Sequence, residues 1–145
     1  MGCDIHTFVE RKHKGRWVMI QPTPYSLIEK ESYALAEQRD YGFFSALAGV
    51  RSQHVDVKCA EAKGLPPDVS QSVEMHSEEL WGIDAHSHSW EMLEDFINLY
   101  LFLHGDTAFN HKSFQEQVYQ MFALEIRDDA VDDPSNFRVI FWFDN

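Results

Sequence analysis

The run Phe137-Arg138-Val139-Ile140-Phe141-Trp142-Phe143-Asp144-Asn145 restricts the fold more than any other stretch of the chain. Its β-branched and aromatic content favours a strand. Apolar side chains occupy both odd and even positions from 139 to 143, so neither face of that strand is left for water. The strand is therefore expected at the centre of a sheet with material packed above and below it. Asp144 and Asn145 then fall at the tip of a buried strand, where open sheets often hold ligands; the alternative is a frayed end.

A chain of 145 residues with 44% hydrophobic content is the size of one domain, read here as residues 1–145. No apolar run approaches the roughly 20 residues of a membrane span. The first residues also lack the charged and apolar regions of a signal peptide, so an intracellular protein is expected. The formal charge of −12 repels a polyanion, which argues against long DNA or RNA as partner. A small anionic ligand is compatible with that charge where a divalent cation inverts the local sign. Cys3 and Cys59 are too few for a disulfide framework and read as free thiols.

Residues 1–10 alternate as a first strand, with Cys3, Ile5, Thr7 and Val9 on one face and Asp4, His6 and Phe8 on the other. Lys12-His13-Lys14-Gly15-Arg16 reads as a charged turn leading into a returning strand at 17–20, hence a β-hairpin. Pro22 and Pro24 break regular structure, and 26–38 reads as loop plus a short helix. Residues 39–51 carry a short, buried helix rich in small residues with Gly49 as its stop. Either Arg39 pairs with Asp40 and Arg51 with a surface partner, or an arginine of this segment, beside Tyr41, holds a bound carboxylate or phosphate. Residues 52–75 have no sustained period, and Gly64, Pro66 and Pro67 suggest an ordered loop that serves as a lid. A helix follows Trp90, with Ser89 as N-cap and Gly105 as stop, and another is expected over 112–126. The aspartates at 128, 129, 132 and 133 read as a solvated turn. The fold class these elements imply is α+β, a mainly antiparallel sheet of the N-terminal hairpin and the C-terminal strand with the two later helices on one face.

Asp84-Ala85-His86-Ser87-His88-Ser89-Trp90 concentrates metal-ligand chemistry. On an extended segment side chains two apart share a face, so His86, His88 and Asp84 would point the same way. Asp4 and His6 either pair with each other or a nearby loop, or form the second arm of the same site. The expected metal ligands are Asp4, His6, His86 and His88. A mixed nitrogen and oxygen set of this kind suits a divalent transition metal, zinc or manganese foremost. Asp84 and Asp144 are the candidate catalytic carboxylates, and Arg39, Arg51 and Tyr41 the candidate substrate-binding groups.

Together, Met1-Gly2-Cys3-Asp4-Ile5-His6, the 39–51 segment, the 64–70 loop, the 84–90 stretch and the closing Phe141-Trp142-Phe143-Asp144-Asn145 resemble an uncharacterised family of short bacteriophage and prophage proteins. The resemblance implies a phage accessory protein acting in the cytoplasm of a bacterial host, and it carries no catalytic residues with it. The chemistry of the residues points to a metal-dependent hydrolase, a phosphoesterase acting on a small nucleotide-like substrate. The alternative is a non-catalytic binding protein that sequesters a small ligand or a host protein.

Overall fold

The computed structural model describes residues 2–20, 34–51, 60–105, 108–126 and 133–144. Cys59, Asn145, the aspartates at 128, 129 and 132, and most of the expected 26–38 element lie outside these residues. Strand β1 (Asp4–His13) turns through Lys14 and Gly15, both at positive φ (50° and 79°), into β2 (Arg16–Met19). A two-residue turn with both central residues left-handed matches the twist of the strands it joins, and Gly15 adopts that φ without a Cβ penalty. The central strand β4 (Phe137–Asp144) pairs antiparallel with β1, in register from Asp4↔Asp144 to Arg11↔Phe137. Its other neighbour is β3 (His86–Met92), giving the order β2-β1-β4-β3. The fold is α+β with an antiparallel sheet, and the apolar C-terminal strand lies inside it.

The alternation along β1 holds as the sequence implies. Cys3, Ile5 and Val9 join Phe137, Val139, Phe141 and Phe143 in the larger core, beneath helices α1 (Tyr41–Ala48), α3 (Leu93–His104) and α4 (Phe114–Phe122). Helix α1 starts where Asp40 Oδ1 accepts a hydrogen bond from Phe43 N, and it stops at Gly49, whose φ of 72° a β-carbon would oppose. Helix α4 is capped by Ser113 and ends at Ala123 in the left-handed region. No helix among the described residues is long and apolar enough to cross a membrane.

The opposite face carries Phe8, Ile140 and Trp142 and is covered by residues 60–84. That cover contains helix α2 (Gln71–Met75), a π-helical turn (His76–Trp81) and a 3₁₀ turn (Gly82–Asp84). Two expectations need correction here. Ser89 is not a helix cap: it is buried in β3, and α3 begins four residues later, after Met92. Arg39 does not pair with Asp40; it bonds Asp4, while Asp40 caps α1 and meets His104 Nε2 at 2.6 Å.

Cover and sheet are joined by an ion network whose Arg138–Glu10 pair is buried and whose Asp68 end is exposed. Arg138 Nε donates to Glu10 Oε1 at 2.6 Å, and its Nη1 donates to Asp68 Oδ1 at 2.8 Å. Glu10 Oε2 accepts from the backbone N–H of Ser70 at 2.8 Å. The side chains of Arg138 and Glu10 are 4% and 0% exposed, and the guanidinium lies 4.2 Å from the centre of the Trp17 ring. Removing one partner strands the other charge without water, which costs about 3–5 kcal/mol. Urea unfolding of Arg138→Ala is expected to show a loss of that order, whereas the double variant Glu10→Leu with Arg138→Met, which buries no charge, recovers much of it. Equal losses in the two variants would contradict this account.

Candidate functional site

The β1–β4 register brings the first residues of one strand to the last of the other. Asp144 Oδ2 lies 2.8 Å from His6 Nε2, each side chain about one-fifth exposed (20%). An ionised carboxylate only accepts, so Nε2 is the donor in this contact, and in the neutral ring the lone pair is then on Nδ1. One face of the imidazole is covered by Trp81, the ring centres 3.7 Å apart and the planes 28° from parallel. The π-helical turn delivers that indole; such turns recur at functional sites.

Around this pair the remaining groups are ordered. Asp4 accepts from Arg39 through both oxygens, Nε to Oδ1 at 2.7 Å and Nη2 to Oδ2 at 3.3 Å, and this fork holds the Asp4 carboxyl below the usual carboxylate range. Tyr41 Oη accepts from Cys3 N at 3.3 Å, and the Arg51 guanidinium sits over the Tyr41 ring at 5.2 Å. Burial pushes the Cys3 thiol up, against the pull of Arg51, which hydrogen-bonds it. Of the residues singled out from the sequence, Asp4, His6, Arg39, Tyr41, Arg51 and Asp144 therefore share one end of the sheet.

The other three are placed differently. Ser87 has a φ of +55°, and the β3–β4 register shifts between His86 and Ser89. A bulge of one residue reverses the facing of everything beyond it. His86 stands opposite Phe143, its Nδ1 3.0 Å from Ser87 Oγ and its enclosed Nε2 without a hydrogen-bond partner among the described residues. His88 lies beside Trp142 on the cover side, its Nε2 2.8 Å from Ser77 Oγ. The two imidazoles thus do not share a face as plain alternation would have them do. Asp84 is exposed in the 3₁₀ turn, not aligned on the strand with them. Among the described residues, no three His, Cys, Asp or Glu side chains are grouped to hold a metal ion.

Sequence reasoning missed Trp81, Ser77 and Arg138. The 76–81 stretch carries no α-helical stripe because its turns are π-helical, and an arginine in an apolar strand gives no sign of which carboxylates will meet it. Compared with protein-family models, curated proteins and solved structures, the chain finds no significant match.

Burial lowers the pKa of His88, helped by the nearby His86, so the imidazole facing Ser77 is neutral at pH 7. The unfolded chain takes up this proton at about pH 6.5, the folded chain only below that. Stability from this group is therefore full above about pH 6.5 and falls as the pH drops from there through the lowered folded value. Urea midpoints measured from pH 7.5 to 5 are expected to fall less steeply on the acid side in His88→Gln than in the parent. Parallel slopes would contradict the assignment.

Proposed function

We propose that the end of the sheet formed by His6 and Asp144 is an acid–base site for hydrolysis of a small phosphoester of nucleotide type. The observation that supports this most directly is the 2.8 Å contact between His6 Nε2 and Asp144 Oδ2, which holds the ring in one tautomer with Nδ1 as the base. In this reading Nδ1 takes a proton from water as its oxygen bonds to phosphorus. The ester P–O bond then breaks, the leaving oxygen takes a proton from solvent water, and Nδ1 returns its own proton to solvent. Trp81 keeps the ring from turning, and Arg39 and Arg51 meet the phosphate oxygens with planar donor forks. Arg39 would have to share its fork with Asp4 to do so.

A second reading keeps the metal. A carboxylate behind one imidazole nitrogen is the arrangement that orients a metal-bound histidine, and Asp144 stands so behind His6. Zinc or manganese held at Nδ1 would polarise a phosphoryl oxygen, with the substrate supplying further ligands. The cytoplasm of a phage-carrying bacterium is the setting we propose for either reaction, on the strength of the resemblance carried by the sequence motifs.

The test is a panel of nucleotides and phosphoesters assayed without added metal, with zinc or manganese, and with chelator. Turnover is expected to fall roughly 10²–10⁴-fold in His6→Ala, and by less in Asp144→Asn, while His13→Ala at the hairpin tip leaves it unchanged. Turnover that chelator abolishes and metal restores would favour the second reading. Binding of a panel member without turnover would instead make the site a sequestering one, and neither binding nor turnover would end the proposal.

A further inference from the structure

Of the chain's 12 lysines and arginines, four lie within residues 11–16: Arg11, Lys12, Lys14 and Arg16. All four are exposed at the tip of the β1–β2 hairpin, and no acidic residue interrupts them. The molecule carries a net −12, so this tip is a local reversal of sign. At physiological ionic strength charges are screened beyond about 8 Å, so a short ligand at the tip meets the basic cluster rather than the acidic remainder.

The tip continues into β2, the edge strand of the sheet among the described residues. On the opposite side of the sheet, β3 is covered: Gly64 N donates to His88 O at 2.8 Å, and Lys63 N to Ser89 Oγ at 3.1 Å. At β2 the two-residue turn makes His13 and Arg16 a hydrogen-bonded pair, so the backbone groups of Trp17 and Met19 point away from β1. Ile20 N bonding Val9 O at 2.8 Å keeps that phase. Those outward groups have no partner among the described residues. Beside them lies a cleft of about 370 Å³ between β2 and the cover, lined by Trp17, Met19, Val69, Gln71 and Ser72. Asp68 also borders it, but its carboxylate is engaged by Arg138, which holds it ionised and paired.

We infer that the β2 edge is a docking site for an extended acidic peptide segment of a partner protein, which adds as a fifth strand with its carboxylates against the hairpin tip. Backbone hydrogen bonds from Trp17 and Met19 supply the pairing, and the cleft receives alternate side chains of the added strand. The basic residues supply selectivity, because unpaired like charge disfavours a basic strand on the same edge. A long nucleic acid fits less well: one face of the Trp17 ring is taken by Arg138, and the rest of the molecule repels a polyanion.

The experiment uses the full chain, ¹⁵N-labelled, titrated with a synthetic peptide alternating valine and glutamate and with its valine–lysine counterpart. The acidic peptide is expected to bind at least roughly tenfold more tightly than the basic one and to protect the Trp17 and Met19 amides from hydrogen exchange. Lys14→Glu with Arg16→Glu is expected to weaken it roughly tenfold or more. Lys14→Asn with Arg16→Gln, which leaves an Asn-Gly turn favourable to this hairpin, should give an intermediate loss with folding intact. Equal affinity for the two peptides, or binding that leaves both amides unprotected, would overturn the inference. So would tighter protection by a single-stranded oligonucleotide, or a dimer in sedimentation whose β2 amides are already protected without peptide, which would make a second copy the occupant.

Discussion

A charge without water organises one face of this molecule. Glu10 is 0% exposed, and a carboxylate so placed is tolerated only because Arg138 and the Ser70 N–H hold it. Arg138 in turn binds Asp68 through both its side chain and its carbonyl, at 2.8 and 3.2 Å. The network therefore ties the first strand, the last strand and the cover at one point. A purely apolar contact there would allow the cover to slide; directional bonds to a single guanidinium do not.

From that anchor the cover runs toward the other end of the sheet and meets β1 and β3 through aromatic and imidazole groups. His76 packs on Phe8, Ser77 meets His88, and Trp81 stacks on His6. The even positions of β1, at 4, 6, 8 and 10, thus form a row whose polar members each have a partner from another element. The row ends in the exposed Asp4–Arg39 fork, where water competes for the same chemistry that is rigid at Glu10. This gradient from dry to wet leaves the His6–Asp144 pair at the margin, held in orientation yet reachable from solvent.

Much of this was legible in the chain itself. The two-residue alternation of positions 3–9 placed Asp4 and His6 on one face, and the unbroken apolar character of 139–143 placed that strand centrally, because a strand's side-chain period is set by its own backbone. Gly49 and Gly105 mark helix ends by a positive φ that a β-carbon opposes, whereas the caps Asp40 and Ser113 emerged only in the folded chain. That Asp4, His6 and Asp144 lie at one end of the sheet comes from the β1–β4 register, which the folded chain supplies.

Where the sequence by itself was insufficient, the deciding interactions are between residues distant in the chain. His86 and His88 lie two apart, but the bulge at Ser87, at positive φ, shifts the β3–β4 register by one residue, and the imidazoles part as a result. Local pattern determined the strands, the helices and the facing of β1, since neighbouring residues suffice to express a period or a cap. Only the assembled sheet and its cover decided which carboxylate meets which imidazole or guanidinium, because a charge removed from water takes the partner that packing brings within hydrogen-bond distance.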